Sequence, residues 1–330
     1  MPNFSTLLGL LCWVMIFPLK LGSSVILTVV DSINSQQSHT IRGIPAHWIG
    51  SYGRPQTSST ARVIGSTSRG IFLLHSKNCI LFLSIESYRG PFTINLSGGP
   101  DDWQAVQIGS KAALTPYLIQ FPETKQNVDL TSAALWRPPV RPESEAPPQS
   151  RLELLAQMSN LLSALPDTFG AANLLSIAAG LNNHPPLPSD YAQFAMLFQQ
   201  FTAAWNDPDV ATRIHSAVEL IGHGSGLTPT GDDVLCGLLL TLGRWGNLNQ
   251  HQTFAESVVQ TAHLKTTALS ANLLQAAVEG QADERLITAV DQIMTVSASP
   301  EEILQTLGAY GSSSGYDALA GMALGISTFK

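Results

Sequence analysis

Residues 136–150 read WRPPVRPESEAPPQS, five prolines set among charged side chains. Proline fixes φ and lacks an N–H, so such a run favours an extended linker or an exposed crossover over a helix or a central strand. The chain changes character across it. Before it, VILTVV (25–30), ARVIG (61–65), GIFLLH (70–75), CILFLSI (79–85) and PFTINL (91–96) are short runs rich in Val, Ile, Leu and Phe. Gly, Ser, Asn and Pro break them at intervals of roughly 8–12 residues, the pattern of an antiparallel sheet or small barrel. After it, RLELLAQMSNLLSAL places apolar residues at 152, 154, 155, 158, 161, 162 and 165, close to the helical period. Segments beginning near 190, 211, 233, 252, 284, 299 and 314 repeat that period. The fold class expected is α+β, a β-rich domain at 31–135, a Pro-rich linker at 136–150 and an all-α domain at 151–330. No period of 20–50 residues recurs, so a solenoid is not expected.

Composition limits the function. The 330 residues are 44% hydrophobic and 12% charged, enough for sizeable cores and far from a disordered chain. The net charge is −7 and no Lys/Arg cluster occurs, which argues against nucleic acid as a partner. Cys12, Cys79 and Cys236 are too scattered for a disulfide framework or a zinc site, which fits a reducing, cytoplasmic setting. Cys236 follows the most unusual loop of the chain. A small apolar residue in a buried helix is the simpler reading of it than a reactive thiol. Residues 1–30 form an apolar N-terminal segment. Leu7 to Leu19 lacks a preceding basic region, and Pro18 and Lys20 interrupt it. A short extension followed by a strand suits it better than a membrane tether through residues 7–30.

Three stretches carry chemistry. The first is GHGSGLTPTGDD, Gly222 to Asp233, ahead of the apolar run VLCGLLLTL. Glycines let backbone approach a ligand, and a helix start offers unpaired N–H groups and a positive end, so the segment suits a small anion. Thr228 with Pro229 reads as N-cap and first helical residue, and Thr230 with Asp233 as an alternative capping box. Capping alone explains neither the glycines at 222, 224, 226 and 231 nor two adjacent acids, which can also hold Mg²⁺ or orient an amide. No lysine follows Gly231, so this is not a nucleotide P-loop, and GxGxG without a strand–helix–strand frame is not a dinucleotide fingerprint. His223 is the nearby group whose ordinary titration lies close to neutral pH, although a lone loop histidine is more often a hydrogen-bonding bystander than a general acid.

The second stretch is HLKTTALSAN, His263 to Asn272. On one continuous helix His263, Thr266 or Thr267, and Ser270 share a face. Those hydroxyls either bond back to the preceding turn or meet a ligand. Lys265 could hold an anionic substrate, though solvation is the commoner fate of a lysine. The third stretch, GSSSGYD from Gly311 to Asp317, again opens a helix with a polar Gly/Ser loop, and Ser314 with Asp317 repeats the capping-box spacing. Gly321 and Gly325 follow, four apart, as close helix packing would require. If these helix starts converge, they form one cavity rich in N–H donors, hydroxyls and carboxylates.

In this order the stretches resemble the AllH-like family, long carried as a domain of unknown function, whose best-placed member is a subunit of oxamate carbamoyltransferase in anaerobic allantoin degradation. The matching residues are Gly222 to Asp233, Thr266-Thr267-Ala268-Leu269-Ser270 through Gly280, and Ser314-Gly315-Tyr316-Asp317, with a weaker match at the Gly90-Pro91 turn. The resemblance spans roughly residues 55 to 327. It departs at Ser312, where some members carry His, and the first 30 or so residues fit nothing in the family.

The resemblance implies purine catabolism and phosphate-dependent carbamoyl transfer, oxalurate plus phosphate giving oxamate and carbamoyl phosphate or the reverse. Other protein subunits would be partners, which leaves open a second role as a non-catalytic subunit that binds a small carboxylate or assists assembly. Asp232, Asp233 and His223 are the catalytic candidates. Gly224, Gly226, Thr228, Thr230, Gly231, Thr266, Thr267, Ser270, Ser314, Gly315 and Asp317 are the substrate-binding candidates. Asp232 and Asp233 are the only metal ligands suggested, with Mg²⁺ as the ion, and no other cofactor is expected.

Overall fold

Hydrophobic side chains alternate inward along Ser59–Thr67 (β2) and Gly70–His75 (β3), which bury Val63, Ile71 and Leu73, while Cys79–Ser84 (β4) buries Ile80 on one face and Leu81 and Leu83 on the other. This period of two is what a half-buried pleated strand requires. The computed structural model describes residues 43–75, 78–99, 105–165, 169–181, 192–246 and 248–329. The expected N-terminal segment and the VILTVV strand lie outside these residues. Those described belong to one compact unit.

Ile44–Ile49 (β1), Thr93–Leu96 (β5), Lys111–Leu114 (β6), Leu118–Phe121 (β7), Gln126–Asp129 (β8) and Ala134–Leu135 (β9) complete the sheet. Its order is β5-β4-β3-β2-β6-β7-β8-β1-β9, and β5 also pairs with β1. That pairing closes eight strands into a barrel, with β9 lying beside the second half of β1. Of the two forms expected, the small barrel is the one found. It is not purely antiparallel, because β4–β5, β1–β8 and β1–β9 run parallel. Strands β6 to β9 are too short to give an apolar run, and β1, as long as β3 and β4, contains Pro45 and His47, which weaken its apolar alternation. Ile49, Leu73, Leu83, Ile94, Ile119, Phe121 and Val128 fill the interior.

The Pro-rich stretch runs as an irregular crossover to α1 (Pro148–Ser163). It is anchored where Trp136 is buried, where Arg141 donates to the Trp245 carbonyl, and where the Ala146 N–H donates to the Met294 carbonyl. Helices α2 (Phe169–Ala178), α3 (Ala192–Trp205), α4 (Val210–Leu220), α5 (Thr230–Trp245), α6 (Gln252–Lys265), α7 (Ala268–Val278), α8 (Glu284–Thr295), α9 (Pro300–Gly308) and α10 (Ser314–Ile326) follow. Helix α5 is buried on nearly every side, which explains why its apolar residues show no single stripe. It packs on α10 through glycine. A Cβ at Gly237 would lie 1.9 Å from the Ala318 carbonyl oxygen, and one at Gly321 would lie 1.8 Å from that of Val234. The expected close packing at Gly321 is therefore a contact of backbone on backbone.

The expected continuous helix through 252–280 is broken. Thr266 is extended, α6 ends at Lys265, and Thr267 caps α7 by accepting the Ser270 N–H. Two threonines that can each bond a neighbouring loop outcompete one more helical turn. His263 consequently points to solvent rather than sharing a face with Ser270.

The helical layer meets the barrel through polar contacts. Asn272 on α7 accepts the Ile80 N–H at 2.7 Å and donates to the Asn78 carbonyl. Arg89 donates through Nε and Nη2 to both carboxylate oxygens of Glu284, each at 2.8 Å. Among the described residues no helix is long and apolar enough to cross a membrane.

Candidate functional site

The glycine-rich loop is shaped by backbone that side-chain-bearing residues rarely adopt. Gly222, Gly224 and Gly226 have φ of 80°, 117° and 94°. Gly231 answers a different need, since its Cβ would sit 1.9 Å from the Leu220 carbonyl oxygen where α5 starts against the end of α4. Gly315 does the same for α10 against Leu307, at 2.0 Å. The His223 main chain is held by Leu220 and Gly231, and its side chain is half-buried.

The capping expectations need correction. Helix α5 starts at Thr230 with Pro229 in the N-cap position, and no side chain caps it, so neither Thr228 nor a Thr230–Asp233 box does so. Helix α10 likewise starts at Ser314 with Ser313 at the N-cap and no side-chain cap, so Ser314 and Asp317 form no box. These side chains bond across the tertiary structure instead. Asp232 accepts the Gly222 N–H at 2.8 Å and the Thr266 hydroxyl, joining loop, α5 and the α6–α7 break. The Thr267 hydroxyl donates to the Leu227 carbonyl at 2.7 Å. Thr228 and Ser314 share a hydroxyl–hydroxyl bond of 3.0 Å. Lys265 donates to the Val218 carbonyl near the end of α4, where a cation complements the helix dipole. It caps a helix and does not line the cavity described below.

Three carboxylates lie beneath these loops, Asp232, Asp233 and Asp317, each no more than 3% exposed. Burial raises the Asp232 pKa, against the hydrogen bonds from Thr266 and Gly222 and the nearby Ser270 hydroxyl. Asp233 is held well above the ordinary carboxylate range by burial, with the neighbouring charges of Asp317 and Asp232 adding to it, while the Ser314 and Thr228 hydroxyls oppose. Burial pushes Asp317 up to about 7, with Ser313 and Thr230 opposing. Those two hydroxyls lie near Asp317, yet neither of its oxygens has a partner in hydrogen-bond geometry. Oδ2 of Asp233 and the Ser270 hydroxyl are likewise unpartnered. A buried carboxyl with few partners takes up a proton. Cys236 is buried and its thiol is pushed up by burial and by Asp233 and Asp232, which keeps it protonated.

Asp232 is bonded to Gly222 and Thr266, while the Ser314 and Thr228 hydroxyls lie by Asp233. Among the described residues, no three His, Cys, Asp or Glu side chains converge as metal ligands.

Above these carboxylates a cavity of about 470 Å³ lies between barrel and helical layer. Leu227 and Thr228 of the first stretch line it, as do Leu269 and Leu273 of α7 and Gly311, Ser312 and Ser314 of the third. The barrel supplies Arg69, Phe72, Phe82, Glu86, Phe92 and the Gly90-Pro91 turn. Asp283, Arg285 and Tyr310 close it. Arg69, Glu86, Asp283 and Arg285 escaped the sequence reading because each stands outside the motifs, on an element that only tertiary packing brings to the cavity.

A barrel joined to a helical layer, with glycine- and hydroxyl-rich helix starts meeting in one cavity, defines the architecture of this chain. Residues 220–326 match the family model described as oxamate carbamoyltransferase subunit AllH. The matched region runs from the end of α4 through α10 and contains all three motif stretches, about a third of the 330 residues. The resemblance read from residue 55 onward is thus matched from residue 220, and the barrel lies outside the match. The family's description is that of a carbamoyltransferase-related subunit. No solved structure matches the chain.

Proposed function

We propose that this chain is a subunit of a carbamoyltransferase complex and holds a small acid bearing an amide or ureido group in the cavity between barrel and helices. The observation that carries this reading is the meeting of Thr228, Leu269 and Ser314, one from each motif stretch, in the wall of a single cavity. In the direction oxalurate plus phosphate, a phosphate oxygen bonds the ureido carbon. The bond from that carbon to the oxamate nitrogen breaks, and the nitrogen gains a proton. The Thr228–Ser314 hydroxyl pair stands at the cavity wall with the Asp233 carboxyl behind it. A protonated Asp233 can pass its proton through either hydroxyl to the departing nitrogen, while the hydroxyls hold the carbonyl oxygen that gains charge.

The test is carbamoyl phosphate formation by the complex reconstituted with its partner subunits. The double variant Thr228→Val with Ser314→Ala should lose about 100-fold or more in kcat/KM, in line with loss of a donor at a developing oxyanion, and keep its thermal melt. Full activity would reject the site. Tight oxamate binding with no turnover in any reconstituted complex would favour a binding or assembly subunit.

A further inference from the structure

The motif stretches supply hydroxyls to the cavity wall but no cation; among the described residues its two guanidinium groups are Arg69, from the barrel, and Arg285, from α8. They are not equivalent. Arg285 is 5% exposed and is held by Asp283 through Nε and Nη2, with Nη1 donating to the Ala309 carbonyl. Its donors are already directed at protein acceptors.

Arg69 sits in the two-residue turn between β2 and β3, whose flanking residues Thr67 and Gly70 pair directly. Its backbone is fixed on both sides, the N–H donating to the Thr67 hydroxyl and the carbonyl accepting the Ile85 N–H. The side chain is 42% exposed. Nη1 donates to the same Ala309 carbonyl at 2.9 Å and lies 3.5 Å from Glu86. No acceptor among the described residues bonds Nε or Nη2. A rigidly based guanidinium with one open edge matches the two oxygens of a carboxylate.

We infer that Arg69 is the carboxylate-recognising residue of this cavity, so that the barrel, outside the matched region, selects small carboxylic acids for a site whose amide-handling groups lie on the helices. This deepens the reading of the cavity given above and rests on it. Glu86 opposes the bound acid, because it lies within 3.6 Å of both arginines and shares the pocket wall. Arg69 and Glu86 therefore have opposite effects on affinity.

Calorimetry of oxamate binding to the full chain tests this. Arg69→Gln should weaken oxamate by at least tenfold, Arg69→Lys by less, and Glu86→Gln should tighten it. Oxamide, with the acid replaced by an amide, should lose little affinity in Arg69→Gln. Oxamate should also protect Arg69 from phenylglyoxal, read by peptide mass spectrometry. Wild-type protein that fails to bind millimolar oxamate would overturn the inference. So would Arg69→Gln binding oxamate normally, equal losses of oxamate and oxamide, or weaker binding in Glu86→Gln. A complex that transfers no carbamoyl group yet keeps Arg69-dependent oxamate binding would reject the transfer reading and leave the acid site standing.

Discussion

Asp317→Asn should make the protein more stable than wild type at pH 8 and no more stable at pH 4. Asp317 is 1% exposed, neither of its oxygens has a hydrogen-bond partner, and burial lifts its pKa from 3.8 to about 7. The folded state therefore binds its proton more tightly than the unfolded state does. For a group raised in this way, the stability contribution is fully present below the unfolded pKa and is lost as pH rises through the folded one. The window is about pH 4 to 7. The shift corresponds to roughly 4 kcal/mol at alkaline pH, each unit being about 1.36 kcal/mol. Asparagine has nearly the same shape and never ionises, so it keeps the packing and removes the pH term. Chemical denaturation of both proteins at pH 4, 6 and 8 measures this. A gap between them that stays constant across the three values would show that Asp317 carries no buried charge. Asp233 feels the charge of Asp317, so the substitution also eases ionisation of Asp233.

Gly321→Ala should be among the most damaging single changes in the helical layer. In an exposed helix this substitution gains about 1 kcal/mol. Here the new Cβ would lie 1.8 Å from the Val234 carbonyl oxygen and 2.8 Å from the Leu238 nitrogen. Both obstacles are backbone of α5, so the helices must separate by more than 1 Å or the turn must deform. Overpacking of this sort costs about 1–3 kcal/mol and more where backbone must move, and we expect the upper end, with a melting point several degrees lower. Gly325→Ala provides the comparison, because its Cβ would meet Cβ and Cγ2 of Thr241 at 2.9 Å, a contact that a much smaller shift relieves. A Gly321→Ala protein as stable as wild type would mean that α5 and α10 are not held together by backbone contact. Because Thr228, Asp233, Ser314 and Asp317 sit at the starts of these same helices, separation should also lower ligand affinity.

The helix starts show how far local sequence can be read. Thr228-Pro229 and Ser314-x-x-Asp317 have the spacing of caps, and capping is the cheapest local use of such residues. The fold gives them other partners: Thr228 bonds Ser314, and the neighbouring Asp232 accepts from Gly222 and Thr266. Spacing records which groups can meet within a turn, and carries nothing about partners 34 or 86 residues away. The Thr266-Thr267 pair was visible as a motif, but its position at a helix break was not, because apolar period continues through it.

The sequence by itself determined the two side-chain periods on either side of the Pro-rich stretch and the two Gly/Ser/Thr stretches that open α5 and α10. These follow from local rules: proline and glycine restrict or free the backbone, and buried faces repeat every two or 3.6 residues. Only the tertiary structure decided that β5 returns to β1 and closes a barrel, that three aspartates are buried beneath the loops, and that Arg69 and Arg285 face the same cavity as Thr228 and Ser314. Closure, burial and the partners of a charge are set by segments far apart in the chain, which meet only when barrel and helical layer pack together.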